Sequence, residues 1–402
     1  MVPDTEVRWI PVREVGDVRM GKQLSPASRE AAGQFPYLRV ANVYEGRIDV
    51  SNVKSMGFSS AERELYGLRP GDILLNEGQE NLRMVGRSAL YSGTPGAYCF
   101  QNTLIRFRPG PKVLPEYAQA VFVRWRSLGV FAGIAEKTSI SHLGGSRFGS
   151  LLFPCRPLRE QQRIVELTEA VSAQERAIEM SIAKLRSVRR GVLLSAMATI
   201  RAGEPPAGWS RVPLKDVVPK AEYGISEALD GDQRGVPVLR MNNLDNGRPE
   251  LSDLKYSPVP VPGRLELRNG DVLFNRTNSI DHIGKSGIWR EELPRATFAS
   301  YLVRINPDET RLIPEYLVEW LMHPSIRQRV RSISTVAVQQ VNVNPTRLRE
   351  LEIDMPVDLA DQRRIVDSLH SCDEQIESER VELAKVRALK LGLVDDLLTI
   401  HA

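Results

Sequence analysis

Cysteine is almost missing from this chain: three in 402 residues, Cys99, Cys155 and Cys372, far apart and with no CxxC pair. That spacing builds neither a disulfide framework nor a zinc site, so the three read as small buried side chains. Long apolar runs are missing too. No stretch approaches the roughly 20 residues that a membrane helix needs. Met1 to Ile10 has no signal-peptide pattern, so a cytoplasmic protein without a membrane partner is expected. Histidine is scarce: His142, His282, His323, His370 and His401. None stands in an HExxH motif or beside a cysteine ligand, and all five read as surface or packed side chains. There is no GxSxG elbow and no GxxxxGKS/T loop, and the glycines around Gly144 and Gly149 form no GxGxxG. These absences argue for a chain with no catalytic residue, no bound cofactor and no metal of its own.

What is present is an ordinary globular composition, 42% hydrophobic and 26% charged, with length enough for two or three domains. The net charge of +4 is only mildly basic. It permits a nucleic-acid partner provided that the positive charge gathers on one face.

The chain repeats itself. Trp9-Ile-Pro-Val returns as Trp209-Ser-Arg-Val, and Tyr37-Leu-Arg-Val-Ala-Asn-Val pairs with Val238-Leu-Arg-Met-Asn-Asn-Leu. Leu68-Arg-Pro-Gly-Asp-Ile-Leu-Leu-Asn pairs with Leu267-Arg-Asn-Gly-Asp-Val-Leu-Phe-Asn, and Leu114-Pro-Glu-Tyr with Ile313-Pro-Glu-Tyr. Glu160-Gln-Gln-Arg-Ile-Val pairs with Asp361-Gln-Arg-Arg-Ile-Val. Five matches in one order, at offsets of 199 to 201, mark a tandem duplication of one unit.

Each unit opens with about 155 residues of mixed strand and helix signals, a compact α/β or α+β domain. Asp72-Ile-Leu-Leu and Asp271-Val-Leu-Phe are short apolar runs behind Gly-Asp turns, where Gly71 and Gly270 can take a positive φ. Thr103-Leu-Ile-Arg-Phe-Arg and Tyr301-Leu-Val-Arg-Ile alternate as strands, and Pro115 and Pro314 open helices. Each unit closes with a long helix. Ile164, Val171, Ile178, Leu185 and Val192 recur every seven residues in the first, with Leu167 and Val188 at intermediate places and Ile182 widening the stripe. Leu369, Ile376, Leu383 and Leu397 do so in the second, interrupted at Lys390. Sustained heptads in both helices predict a seam of one helix on the other, a coiled coil.

Several strings of the second unit carry a family resemblance: Tyr223-Gly224, Val238 to Leu244, and Leu251-Ser-Asp-Leu-Lys-Tyr256. So do Gly270-Asp-Val-Leu-Phe-Asn-Arg-Thr-Asn-Ser279, Ile283-Gly-Lys285 and Phe298 to Arg304. Together with the helix openings Glu160-Gln-Gln-Arg-Ile164 and Asp361-Gln-Arg-Arg-Ile365, the chain resembles the specificity subunit of a type I restriction–modification system over essentially its whole length. The first unit departs from the pattern. Its loop reads Asn76-Glu77-Gly78-Gln79-Glu80 in place of Asn-Arg-Thr-Asn, and Gly86-Arg87 in place of Gly-Lys. The nearest string to an adenine methyltransferase motif, Asn344-Pro345-Thr346-Arg347, lacks its second proline and its aromatic residue.

The resemblance implies target-recognition domains over 1–157 and 201–357, a central spacer helix over 158–200 and a C-terminal one over 358–402. It implies antiparallel packing of the helices, giving a pseudo-twofold object from a tandem repeat. It also implies a role without catalysis: each domain reads one half of a bipartite double-stranded DNA target. The helices dock two methyltransferase subunits, and restriction/translocase subunits join them. S-adenosylmethionine, ATP and magnesium belong to those partners. A helix of about 35 residues spans roughly 50 Å, more than one DNA turn of about 34–36 Å, so helix length would set the gap between half-sites. Candidate DNA contacts in the first unit are Asn81, Arg83, Arg87, Lys137, Ser139 and Arg147. Those in the second are Tyr223, Arg276, Asn278, Lys285, Gln339, Gln340 and Asn342, since Arg suits guanine and Asn or Gln suits adenine. Arg240 and Arg304 stand as alternatives with a structural role, each paired to an acidic neighbour. Two rival readings stay open: the recognition subunit of a related restriction enzyme that is not type I, and a coiled-coil scaffold with no DNA role.

Overall fold

A computed structural model describes residues 7–79, 81–136, 141–197, 203–337 and 340–398. The chain divides into two compact units, one formed by Met1–Glu179 with Glu382–Ala402 and the other by Met180–Val381. Neither boundary follows the end of a domain. The long helices Leu158–Ala196 and Leu359–Leu398 each give one part of their length to either unit. The boundaries expected after residues 157 and 357 fall where the long helices start, that at 200 lies outside the described residues, and the compact units part in mid-helix.

The first unit is built on a four-stranded antiparallel sheet in the order Gly16–Met20, Leu104–Pro109, Ile73–Asn76, Ser88–Leu90. The second repeats it as Glu222–Tyr223, Leu302–Arg304, Val272–Asn275, Ser286–Ile288. Beside each lies a three-stranded sheet with one parallel pairing, Cys99–Phe100 on Gln34–Leu38 and Thr297–Phe298 on Val236–Leu239. An antiparallel ribbon closes each domain, Arg8–Pro11 with Leu152–Cys155 and Trp209–Pro213 with Glu352–Pro356.

The Gly-Asp repeat has a mechanical reason. Gly71 and Gly270 turn the chain at φ +93° and +90°, and the following aspartate closes the turn. Asp72 accepts from the Arg69 amide at 2.8 Å and Asp271 from the Arg268 amide at 3.0 Å. Each buried carboxylate then holds an arginine of the neighbouring strand: Asp72 takes Arg108 at 2.6 and 2.7 Å, and Asp271 takes Arg304 at 2.8 Å. Arg304 is also held by Glu222 at 2.7 Å, and Arg240 pairs with Asp253 at 2.8 Å. Both arginines thus have the acidic partners that a structural role requires.

Apolar packing fills each unit separately. Phe107, Phe122, Phe131 and Phe148 meet edge to face in the first, with centroids 5.2 to 6.3 Å apart. Leu317, Trp320, Val303 and Val272 join Leu193, Met197 and Leu369 in the second. The long helices reach these cores through buried glutamines. Gln161 accepts from the Leu114 amide at 2.8 Å and donates to the Lys112 and Arg156 carbonyls. Gln362 accepts from the Ile313 amide at 3.0 Å and donates to the Arg311 and Pro356 carbonyls.

The helices run antiparallel within each unit. In the second, Ser181 donates to Glu379 at 2.9 Å, while Arg189 reaches Asp373 at 2.6 Å, so one position rises as its partner falls. In the first, Glu175 accepts from Arg387 at 2.8 Å and Lys390 at 2.9 Å, and Leu397 and Leu398 pack in the cluster that holds Ile164 and Val165. Ile164, Ile178, Leu369, Ile376 and Leu383 are buried, and Val171, Leu185, Val192 and Leu397 are half-buried. Leu167 and Val188 are exposed, at 38% and 46%. The expectation that they fill the seam is corrected: they lie outside the stripe that Ile182 and Leu193 complete. Lys390 does not simply interrupt the seam, because its ammonium pairs there with Glu175. Among the described residues no helix is long and apolar enough to cross a membrane.

Replacing Gln362 by Ala removes one acceptor and two donors from a fully buried position. Stranded amide and carbonyl groups make the expected loss about 3 kcal/mol. It is read as a lower denaturant midpoint with an unchanged slope. A midpoint within error of the parent shows that the clamp carries no stability.

Candidate nucleic-acid interface

Each four-stranded sheet ends one strand in an asparagine, and from there a loop leaves and returns. Asn275 donates to the Met241 carbonyl at 2.6 Å, which fixes the departure point. The next residue, Arg276, is pinned through its backbone: its amide donates to Tyr301 at 3.0 Å and its carbonyl accepts from Val343 at 2.8 Å. Its side chain is half-buried and held on two sides. One nitrogen donates to Asn342 Oδ1 at 2.7 Å, and the guanidinium lies 5.1 Å from the centre of the Tyr223 ring. A stacked, hydrogen-bonded arginine keeps its charge and loses rotamer freedom in advance, which favours planar recognition.

The loop then forms a second small sheet. Thr277–Asn278 pairs with Gln340–Asn342, which in turn pairs with Thr335–Ala337. Tyr223, Arg276, Asn278, Gln340 and Asn342 are thereby brought together. Tyr223 is 49% exposed and Gln340 is exposed, while Asn278 donates to the Met241 carbonyl at 3.3 Å. Lys285 lies at the loop's return, ion-paired with Asp245 at 2.9 Å. Gln339 lies outside the described residues.

Two arginines without an expected role staple this loop. Arg327 donates to the Asp281 carbonyl at 3.1 Å and Arg331 to the Ile280 carbonyl at 3.2 Å, both from the helix Pro324–Ser332. Burial, then repulsion from Arg331, holds Arg327 below its ordinary pKa. The alternation Ile326-Arg-Gln-Arg-Val330-Arg, with its apolar residues facing the core, was the available signal.

The first unit builds the same frame with other side chains. Glu77 follows Asn76; its amide donates to Thr103 at 2.9 Å and its carbonyl accepts from Leu143 at 2.8 Å. Asn76 donates through its amide to the Arg87 carbonyl at 2.8 Å, as Asn275 does to Lys285 at 2.8 Å. The return turn in both units uses a glycine at φ +74°, Gly86 and Gly284. A Cβ there would meet the Phe131 ring at 2.1 Å or Val330 at 2.8 Å, so no larger residue fits.

Arg87 is half-buried against Met84 and lies 5.5 Å from the centre of the Tyr44 ring. Asn81 is exposed and starts the turn that closes at Met84. Arg83 belongs to the short Leu82–Met84 turn. Arg147 donates to the His142 carbonyl at 2.9 Å and pairs with Glu136 at 3.2 Å. Lys137 and Ser139 lie outside the described residues. Among the described residues, no group of three His, Cys, Asp or Glu is placed to hold a metal.

The chain is thus built of two tandem α+β domains, each presenting a pinned polar loop and each continued by a long helix. Known proteins share this arrangement. Residues 206–388 match the family described as type I restriction modification DNA specificity domain. The putative type I restriction enzyme MjaX specificity subunit of Methanocaldococcus jannaschii is 26% identical over 49% of this chain and 47% of its own length. The chain thus spans about half of that relative. It spans 81% of the type I restriction enzyme EcoKI specificity subunit of Escherichia coli strain K12, at 19% identity over 90% of this chain. A chain solved in work on complex assembly and conformational transition of the type I R-M system is similar in fold, with a TM-score of 0.64 at 18% identity. That likeness covers 99% of this chain and 98% of the other. The type I S subunit from M. genitalium has a TM-score of 0.52 at 12% identity, over 100% and 98% of the two chains. The family match lies in the second half of the chain, and over its whole length the chain is similar in fold to solved type I S subunits.

The Glu222 carboxylate at the foot of the site is expected to make stability acid-sensitive. Burial would raise the pKa of Glu222, but hydrogen bonds from Arg304 and Lys220 outweigh it and hold the group below its ordinary value. Such a group stabilises the fold above its unfolded value of about 4.3, and that contribution is lost as pH falls through the lowered one. Glu222→Gln is expected to cost about 2 kcal/mol near neutrality. It should also flatten the fall of the melting temperature on acidification. A variant that melts with the parent's pH profile assigns the acid loss elsewhere.

Proposed function

We propose that this chain is the DNA-specificity subunit of a restriction–modification assembly of the type I kind, and that each unit reads one half of a bipartite duplex target. The observation that carries this reading is the pinned loop present in both units. In the second unit it holds Arg276 between Tyr223 and Asn342. An arginine with its fork fixed in advance suits the O6 and N7 acceptors of guanine in the major groove. Asn278, Gln340 and Lys285 add amide and cationic groups on the same loop frame. In the first unit Asn81, Arg83, Arg87 and Arg147 supply the counterparts, with Lys137 and Ser139 on the segment that follows Glu136. Contacts to phosphate would position each unit, and contacts to base edges would specify its half-site.

The chemistry belongs to partner chains in this reading. Two methyltransferase subunits dock on the helices and bring S-adenosylmethionine, and restriction/translocase subunits bring ATP and magnesium. The helices carry exposed apolar side chains suited to such docking: Leu167, Met180 and Val188 on one, Val381, Leu389 and Leu391 on the other. Helix length sets the unread gap between half-sites.

Two experiments test this. The full chain should bind duplex DNA with an affinity that falls steeply with salt, and Arg276→Ala should weaken binding about tenfold or more while relaxing one position of one half-site. Binding that ignores both salt and sequence overturns the reading. A four-residue insertion within Leu158–Ala196, close to one helical turn, should change or abolish the preferred gap. An unchanged gap with full affinity removes the helices from that role.

A further inference from the structure

The two loop frames share a set of backbone hydrogen bonds and one strand register, so equivalent positions can be named without reference to sequence similarity. Glu77 occupies the place of Arg276: both donate from the amide to the strand-entry residue, Thr103 or Tyr301, and both accept from the residue that leaves the partner strand, Leu143 or Val343. Across the small sheet, Gly78 faces His142 in register as Thr277 faces Asn342. His142 therefore occupies the place of Asn342. The side chains again pair: His142 Nδ1 lies 2.9 Å from Glu77 Oε2, where Arg276 lies 2.7 Å from Asn342 Oδ1.

The pairing is kept and its polarity is inverted. In the second unit the pinned residue is the cation and its partner a neutral acceptor. In the first unit the pinned residue carries a carboxyl group and its partner an imidazole. Exposure differs across the pair as well. The His142 side chain is 45% exposed and that of Glu77 only 12%, so the histidine is the group open to a ligand. Its backbone is fixed by two bonds exchanged with Glu136, at 2.9 and 3.1 Å, and by Arg147 on its carbonyl. In the tautomer that gives Nδ1–H to the Glu77 carboxyl group, Nε2 is left as an acceptor.

We propose that His142 is a specificity-determining base contact of the first unit, and that Glu77 is its positioning residue. The group it takes is an exocyclic amine on a base edge, adenine N6 or cytosine N4. This rests on the reading of the chain as a DNA-specificity subunit. It goes beyond that reading by placing an acceptor where the second unit places the arginine fork. The two half-sites are then told apart by opposite hydrogen-bonding demands at equivalent positions.

The test uses the full chain and a randomised duplex pool, with bound sequences read out. The variants are His142→Ala, Glu77→Gln and Arg276→Ala. His142→Ala should lose base preference at one position of one half-site, with about tenfold weaker binding of the parent's preferred duplex, and should leave the other half-site intact. Glu77→Gln, which keeps an oxygen for Nδ1, should keep the preference at that position, whereas a further variant, Glu77→Ala, which removes it, should relax the same position. Arg276→Ala should relax a position in the opposite half.

Duplexes carrying purine for adenine, or 2-pyrimidinone for cytosine, at the His142 position then separate the two amines. The analogue that matters should weaken the parent and cost His142→Ala nothing more. If the parent selects a split motif and His142→Ala selects the same one, or if both analogues cost the variant as much as the parent, the assignment to His142 is overturned while the DNA reading stands. If the parent selects no motif, the DNA reading fails and takes this assignment with it.

Discussion

A single buried side chain in each half governs how helix and domain are joined. Gln161 and Gln362 are fully buried, and each spends its amide on three backbone groups that no secondary structure satisfies. Unpaired groups at such depth cost far more than an average hydrogen bond yields. The long helix can start only where the glutamine reaches the segment before Pro115 or Pro314. Everything that depends on the helix's direction inherits that constraint, including the antiparallel pairing seen within each unit.

A second constraint acts on the sheets. The aspartate after each turn glycine is nearly inaccessible, and its arginine partner comes from the neighbouring strand. A buried pair of this kind adds little net stability over an apolar pair, but breaking it leaves a charge stranded. It fixes register more than it adds energy. With register fixed, the asparagine four residues on emerges at the same place in both units, and the loop that follows starts from an equivalent frame.

Much of this was legible in the sequence, for reasons that differ by element. The duplication was visible because turn glycines, clamp carboxylates and helix-start glutamines have no good substitutes, so Gly71-Asp72 and Gly270-Asp271 kept their identities. The seam was visible at Ile164, Ile178, Leu369 and Ile376 because the heptad period survives wherever one helix covers another. It misled at Leu167 and Val188, since periodicity cannot say which edge of a wide stripe is covered. The compact units could not be read at all. Composition changes at residues 157 and 357, whereas contacts change in mid-helix. The candidate site was legible on the second unit, where Arg276 and Asn342 are polar residues of familiar use. It was not legible on the first. Nothing in the string Asn76-Glu77-Gly78 shows that a carboxylate there meets a histidine 65 positions later.

That failure follows from how such a loop is held. The frame around Glu77 and Arg276 is made of backbone hydrogen bonds, which any side chain leaves intact. Residue identity at the pinned position is therefore uncoupled from the stability of the loop, within the limits set by a neighbour that can pair with it. An arginine finds Asn342 and a stacked tyrosine; a glutamate finds His142. A duplicated domain can exchange an arginine for a glutamate at its centre and still fold to the same geometry. The positions that sequence comparison reads as divergence are then the ones at which the two units offer different chemistry to a ligand, and the invariant glycines and asparagines around them are what keep that difference confined to a side chain.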